Sequence, residues 1–242
     1  MWALLLVPAI GGIVATRVAA GPLVVLDGLR PGPVDSFGGE IFVVRGDEVV
    51  SFDGAANVRV VFEGVPADTS AIAWDPAERL CWASGSVLGC VDLITSKHED
   101  FRFGTSIRDI QVACDGVFIL LGDPARIVHR TSTGALTSWP VDADIAGLAR
   151  GTDCTNVGVW AASRLGDVAL ADGRFRSVHE THDTHDAVRS GGGWLLRRGD
   201  SVVQMGATST DTTSWFVPGA ARVVAGSPNA VLDAAGRLWL LP

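Results

Sequence analysis

Apolar and polar positions alternate in short bursts along most of this chain. From residue 22 onward, apolar runs of about five to seven residues, rich in Val, Ile, Phe and Trp, are separated by Gly, Asp, Ser and Thr. Runs of that length bounded by turn formers read as strands. No window sustains an apolar stripe at the helical period over three turns. The predicted class is all-β.

The runs also recur. Anchors at Phe42, Trp82, Phe118, Trp160, Trp194 and Ala230 mark the second strand of successive units, 34 to 42 residues apart. Turns such as Gly46-Asp47 and Gly199-Asp200 lead into third strands, and aromatic-ended runs such as Val60-Val61-Phe62 and Thr213-Ser214-Trp215 supply fourth strands. Four short strands per unit of about 40 residues is the arithmetic of a β-propeller blade. One such blade cannot bury both of its faces alone, and radial packing covers them. Residues 187–205 align without a gap on residues 223–241, so the last unit supplies three strands and ends one short. The unpartnered run Pro22-Leu23-Val24-Val25-Leu26 is the strand expected to complete it, closing six four-stranded blades. Five or seven blades stay open as alternatives, because the first strand of the first unit, near Val34 to Phe37, is weakly patterned.

Two parts follow from this reading: residues 1–20, and a single propeller domain over residues 21–242. Residues Trp2 to Ala15 form the one long uncharged apolar stretch. Val18-Ala19-Ala20 then offers small residues suited to signal-peptide cleavage before Gly21, although no Lys or Arg precedes the run. Cleavage predicts a secreted or periplasmic protein. The alternative is an apolar N-terminal segment of the fold, with a cytoplasmic location, and membrane association is expected only if the segment is retained. Cys81 and Cys90 flank a short turn, so a hairpin there would bring the thiols opposite one another as a disulfide. Cys114 and Cys154 show no mutual spacing, and four free buried thiols are the alternative.

Composition narrows the function classes. The chain of 242 residues is 48% hydrophobic and 19% charged, enough to bury a large core, and its net charge of -8 excludes a general nucleic-acid binder. The segment Thr131-Ser132-Thr133-Gly134-Ala135-Leu136-Thr137-Ser138-Trp139 resembles the glycine-turned, tryptophan-ended hairpin of quinoprotein-like bacterial propeller repeats. At the level of architecture the chain resembles the six-bladed propeller superfamily. That resemblance implies the fold and none of the redox chemistry.

The chemistry-bearing residues fall in two places. Aligned inner strands set Asp109, Asp186 and Arg222, with Arg108 adjacent, where they would converge on the central channel and hold a cation or a small polar molecule. The run from Val178 to Asp186 carries His182, Asp183 and His185, nitrogen and oxygen donors suited to a divalent cation, or else a solvated loop between blades. His129 is expected to point outward. The Gly191-Gly192-Gly193 run precedes a strand, so it reads as a turn and not as a phosphate cradle. No nucleophile elbow, P-loop or dinucleotide fingerprint appears, so no catalytic residue is assigned and no cofactor is predicted beyond that cation. The expected function is a non-catalytic binding or scaffold propeller with a protein partner or a small-molecule ligand. The alternatives are a metal-dependent hydrolase or lyase similar to six-bladed gluconolactonases, and a structural module of a larger assembly.

Overall fold

A computed structural model describes residues 4–9, 12–17, 21–54, 57–75, 78–113, 115–149, 156–169, 174–206 and 212–242. Among these, six four-stranded antiparallel sheets stand as blades. Blade I spans residues 34–63, blade II 69–102, blade III 107–140, blade IV 147–180, and blade V 186–216. Blade VI takes three strands from residues 220–240 and its fourth, Leu23–Leu26, from the other end of the chain. All six anchors lie in second strands, as the repeat predicts, and the weakly patterned Val34–Phe37 is the first strand of blade I. The inner strands touch in sequence around the ring, with Ala220–Val224 of blade VI against Val34–Phe37 of blade I.

The core is divided among the blade junctions. Alternate residues of each second strand serve opposite neighbours: Phe42 and Val44 pack toward blade II, while Ile41 and Val43 pack toward blade VI. The same division gives one buried apolar wedge at each of the six junctions. Phe42 and Trp74 stack across the junction of blades I and II with ring centroids 4.2 Å apart. Two covered faces explain why these strands are near-continuous apolar runs and not half-polar ones. They also correct the expectation for His129. Its strand, Arg126–Thr131, is buried on both faces, and His129 is 5% exposed, stacked on Phe118 at 4.5 Å and 3.2 Å from the Asp115 carboxylate.

Ring closure is made where the termini meet. Leu238, Trp239 and Leu240 pair with Leu26, Val24 and Leu23. The chain then leaves the clasp through Leu29, whose N–H donates to the Gly236 carbonyl at 3.0 Å. Gly236 has φ +77°, and a Cβ there would collide with the Leu29 carbonyl, so the tight approach needs glycine. The Arg30 guanidinium donates to the carbonyls of Pro66 at 3.1 Å and Thr69 at 3.0 Å, fixing the clasp to the entrance of blade II.

Cys81 and Cys90 stand opposite one another on the second and third strands of blade II and form a disulfide, with Cα atoms 4.1 Å apart. Closing a loop this short contributes about 2–3 kcal/mol through the unfolded chain. Cys114 and Cys154 lie outside the described residues. Leu4–Ala9 pairs with Gly12–Arg17 in a two-stranded sheet of its own, separate from the blades.

The clasp makes a direct prediction. Deleting residues 1–27 removes the fourth strand of blade VI and is expected to lower the melting temperature by about 10 °C or more or to abolish cooperative melting. Deleting residues 1–20 spares that strand and is expected to leave melting near that of the full chain. Circular dichroism melts of the three chains check both outcomes.

Candidate functional site

Each inner strand pairs through one edge with its own blade and turns the other edge toward its neighbour. Its main-chain N–H groups on that side need acceptors, because buried amides are costly to leave unpaired. On alternate blades an aspartate supplies one. Asp35 of blade I accepts from Trp74 N–H at 2.7 Å, Asp109 of blade III from Leu148 N–H at 2.9 Å, and Asp186 of blade V from Val223 N–H at 2.8 Å. Each bond crosses to the inner strand of the next blade. Asp109 also accepts from the Ile110 N–H at 3.0 Å.

The same three carboxylates line a narrow void of about 40 Å³ on the channel axis, together with Gln111 and Arg222. Arg222 is the balancing cation, its Nε 3.3 Å from Asp186 Oδ2. Asp109 and Asp186 are 5% and 3% exposed. Burial pushes both carboxyls above their ordinary range. Arg222 and the main-chain N–H donors oppose that shift, and for Asp109 the neighbouring Asp186 adds to it. The Asp186 carboxylate in turn holds the Arg222 guanidinium above its ordinary value.

Above the void the channel widens into a cavity of about 430 Å³, within the range that holds small ligands. It opens on the face made by the turns between first and second strands. Phe37, Gly38 and Gly39 of blade I, Ser190 and Gly191 of blade V, and Gly226 and Ser227 of blade VI form its rim. Both glycine pairs turn at positive φ, Gly38 and Gly39 at +61° and +89°, Gly191 and Gly192 at +56° and +82°, the backbone of a two-residue hairpin turn. The turn expected for residues 191–193 is therefore present. Two serines lining the cavity are already engaged: the Ser36 hydroxyl donates to the Ala225 carbonyl, and Ser190 Oγ lies 3.1 Å from Asn229 Oδ1. Arg189 lies 3.6 Å from Asp167 and over the Trp194 ring.

Of the residues singled out from sequence, Asp109, Asp186 and Arg222 lie together in the void. Arg108 does not join them. It is exposed at the irregularity where the strand's register shifts between Ile107 and Asp109, and its guanidinium donates to the Ala143 carbonyl at 3.4 Å. His182, Asp183 and His185 are exposed on the loop between blades IV and V, at the face opposite the cavity. The loop is held through its main chain, His185 N–H donating to Arg197 O at 2.9 Å. Among the described residues no three His, Cys, Asp or Glu side chains form a group able to hold a metal ion.

Two contributors were missed from sequence, Asp35 and Gln111. Gln111 follows Asp109 by two residues and faces the same side, which was the available signal. Asp35 sits in the first strand of blade I, whose short length weakened its pattern.

The raised acids fix the sign of a pH effect. A carboxyl whose folded pKa exceeds its unfolded one contributes stability that is full below the unfolded pKa and is lost as pH rises through the folded pKa. Asn at position 109 keeps an acceptor for Leu148 N–H and removes that titration. Asp109→Asn is therefore expected to become progressively more favourable relative to the native chain as pH rises above the ordinary carboxylate range. Urea unfolding of both proteins at pH 5 and pH 7.5 measures the difference, and a cost that grows with pH contradicts the assignment.

No family model and no curated protein matches the chain. Solved structures do. A gluconolactonase of Xanthomonas campestris superimposes with TM-score 0.69 at 16% identity, covering 93% of this chain and 89% of that one. A streptogramin B lyase gives 0.62 at 10% identity, covering 90% and 94%. A chain of the mitotic checkpoint complex gives 0.67 at 10% identity, covering 98% and 97%. At these identities the likeness is one of fold, and by fold the chain is a six-bladed β-propeller.

Proposed function

We propose that this propeller is an exported, non-catalytic binding module whose working face is the turn face around the 430 Å³ cavity. One observation carries the reading. The carboxylates that could act as catalytic acids or metal ligands already accept main-chain N–H groups from neighbouring blades, and one of them also pairs with Arg222. Groups held this way serve closure of the ring first. Above them stands an open cavity with a glycine-turned rim, which suits a small ligand or a projecting group of a protein partner. Export agrees with the buried Cys81–Cys90 disulfide, since such bonds persist in oxidising compartments. A propeller chain within the mitotic checkpoint complex is a precedent of fold for partner binding.

A second reading, a metal-dependent hydrolase or lyase, is favoured by the fold shared with a gluconolactonase and a streptogramin B lyase. The two separate on metal dependence. A resident ion raises the melting temperature by binding the folded state. Thermal melting with EDTA, and with added calcium or zinc, is expected to show no shift. His182→Ala combined with His185→Ala is expected to change stability by less than about 0.5 kcal/mol, as for other exposed loop positions. A fall of several degrees in EDTA, reversed by one ion, would replace the binding reading with the enzymatic one.

A further inference from the structure

Cys114 and Cys154 lie outside the described residues, but the strands that bracket them are described and fix where each cysteine enters the fold. Cys114 comes two residues before Gly116, the first residue of the second strand of blade III. Cys154 comes two residues before Asn156, the first residue of the second strand of blade IV. Both therefore belong to connections between first and second strands, on the turn face that carries the cavity. They are 40 residues apart, within the range of one blade repeat. Their heights agree as well. The bond from Leu148 N–H to Asp109 sets the inner strands of blades III and IV at a common level, and Leu148 is paired with Val159. Cys114 lies five residues beyond Asp109 toward the turn face, and Cys154 five residues beyond Val159 in the same direction. At about 3.3 Å per residue, the chain carries each up to about 16 Å above that level. The inner strands of the two blades touch, and the blade IV connection, residues 150–155, is long enough to cross to its neighbour. Cys81 and Cys90 are bonded to each other, so Cys114 and Cys154 are left as each other's one possible partner within the chain.

We propose that Cys114 and Cys154 form a second disulfide, which ties blade III to blade IV across the turn face. The two thiols lose two protons and two electrons as the S–S bond forms. Oxidised glutathione is a sufficient oxidant: it takes up both and leaves as two glutathione thiols, by way of a mixed disulfide. The Cys81–Cys90 bond stays within one blade, whereas this one crosses a blade boundary and closes a longer loop, so it restricts the unfolded chain more. Blades III and IV are already joined at the channel floor through Asp109 and Leu148, and the second disulfide joins them again at the rim. The inference stands apart from the binding-module reading, which the chelator melts judge.

The test is a peptide map of the full chain, folded in a glutathione redox buffer, denatured without reductant and labelled with N-ethylmaleimide. Trypsin releases Cys114 in the peptide 109–126 and Cys154 in the peptide 151–164, while Cys81 and Cys90 share the peptide 80–97. No cysteine is expected to carry label, and peptides 109–126 and 151–164 are expected to appear as one joined mass that reduction separates. Maleimide on both Cys114 and Cys154, or a link from either to Cys81 or Cys90, overturns the proposal. Cys114→Ser is expected to leave one labelled thiol, at Cys154, and to lower the melting temperature by about 5 °C or more. Cys114→Ser combined with Cys154→Ser is expected to melt with the single variant, because both lose the same bond. Losses that add between the two positions contradict a shared bond. The map of the unsubstituted chain decides the matter even where a variant fails to fold.

Discussion

A propeller blade leaves the outer edge of its inner strand without a partner in its own sheet, and that edge faces the next blade. Three carboxylate–amide bonds meet this constraint here, from half-buried Asp35 and from buried Asp109 and Asp186 to the next inner strand. They fall on blades I, III and V and join I to II, III to IV and V to VI. A neutral acceptor would serve the same geometry. A carboxylate bonds more strongly, and its burial cost is reduced by Arg222. The channel chemistry thus follows from the need to hold the inner strands together.

The apolar wedges between blades supply most of the driving force, and the polar bonds set the register of one blade on the next. Closure completes the ring. Leu23–Leu26 fills the open edge of blade VI, and Gly236, Leu29 and Arg30 guide the chain from that strand into blade I. With the ring closed, the channel narrows to a void at the level of the aspartates and opens again at the turn face. The site described above is a product of those steps.

Much of this was legible in the sequence for a physical reason. Second strands are covered on both faces, so they are the most apolar runs and repeat most clearly, as Trp82, Trp160 and Trp194 show. The gapless alignment of residues 187–205 on 223–241 exposed the missing strand. The convergence of Asp109, Asp186 and Arg222 followed once the inner strands were aligned. Side-chain direction was harder to read. His129 was expected to point outward, whereas its strand is covered on both faces by neighbouring blades. Gln111 was passed over because a lone amide in an apolar strand carries no motif, and only its two-residue spacing from Asp109 pointed to the channel. The His182–His185 loop drew attention by composition, yet the fold places it on the face away from the cavity.

The inner strands are held to one another through the channel aspartates Asp35, Asp109 and Asp186. Amide hydrogen exchange at Trp74, Leu148 and Val223 tests it directly. Bonded as described, these three N–H groups are predicted to exchange only through global unfolding, among the slowest in the protein. Exchange on the timescale of exposed turn amides would show that the aspartates do not hold the blades, and the channel carboxylates would then be open to catalysis or metal binding.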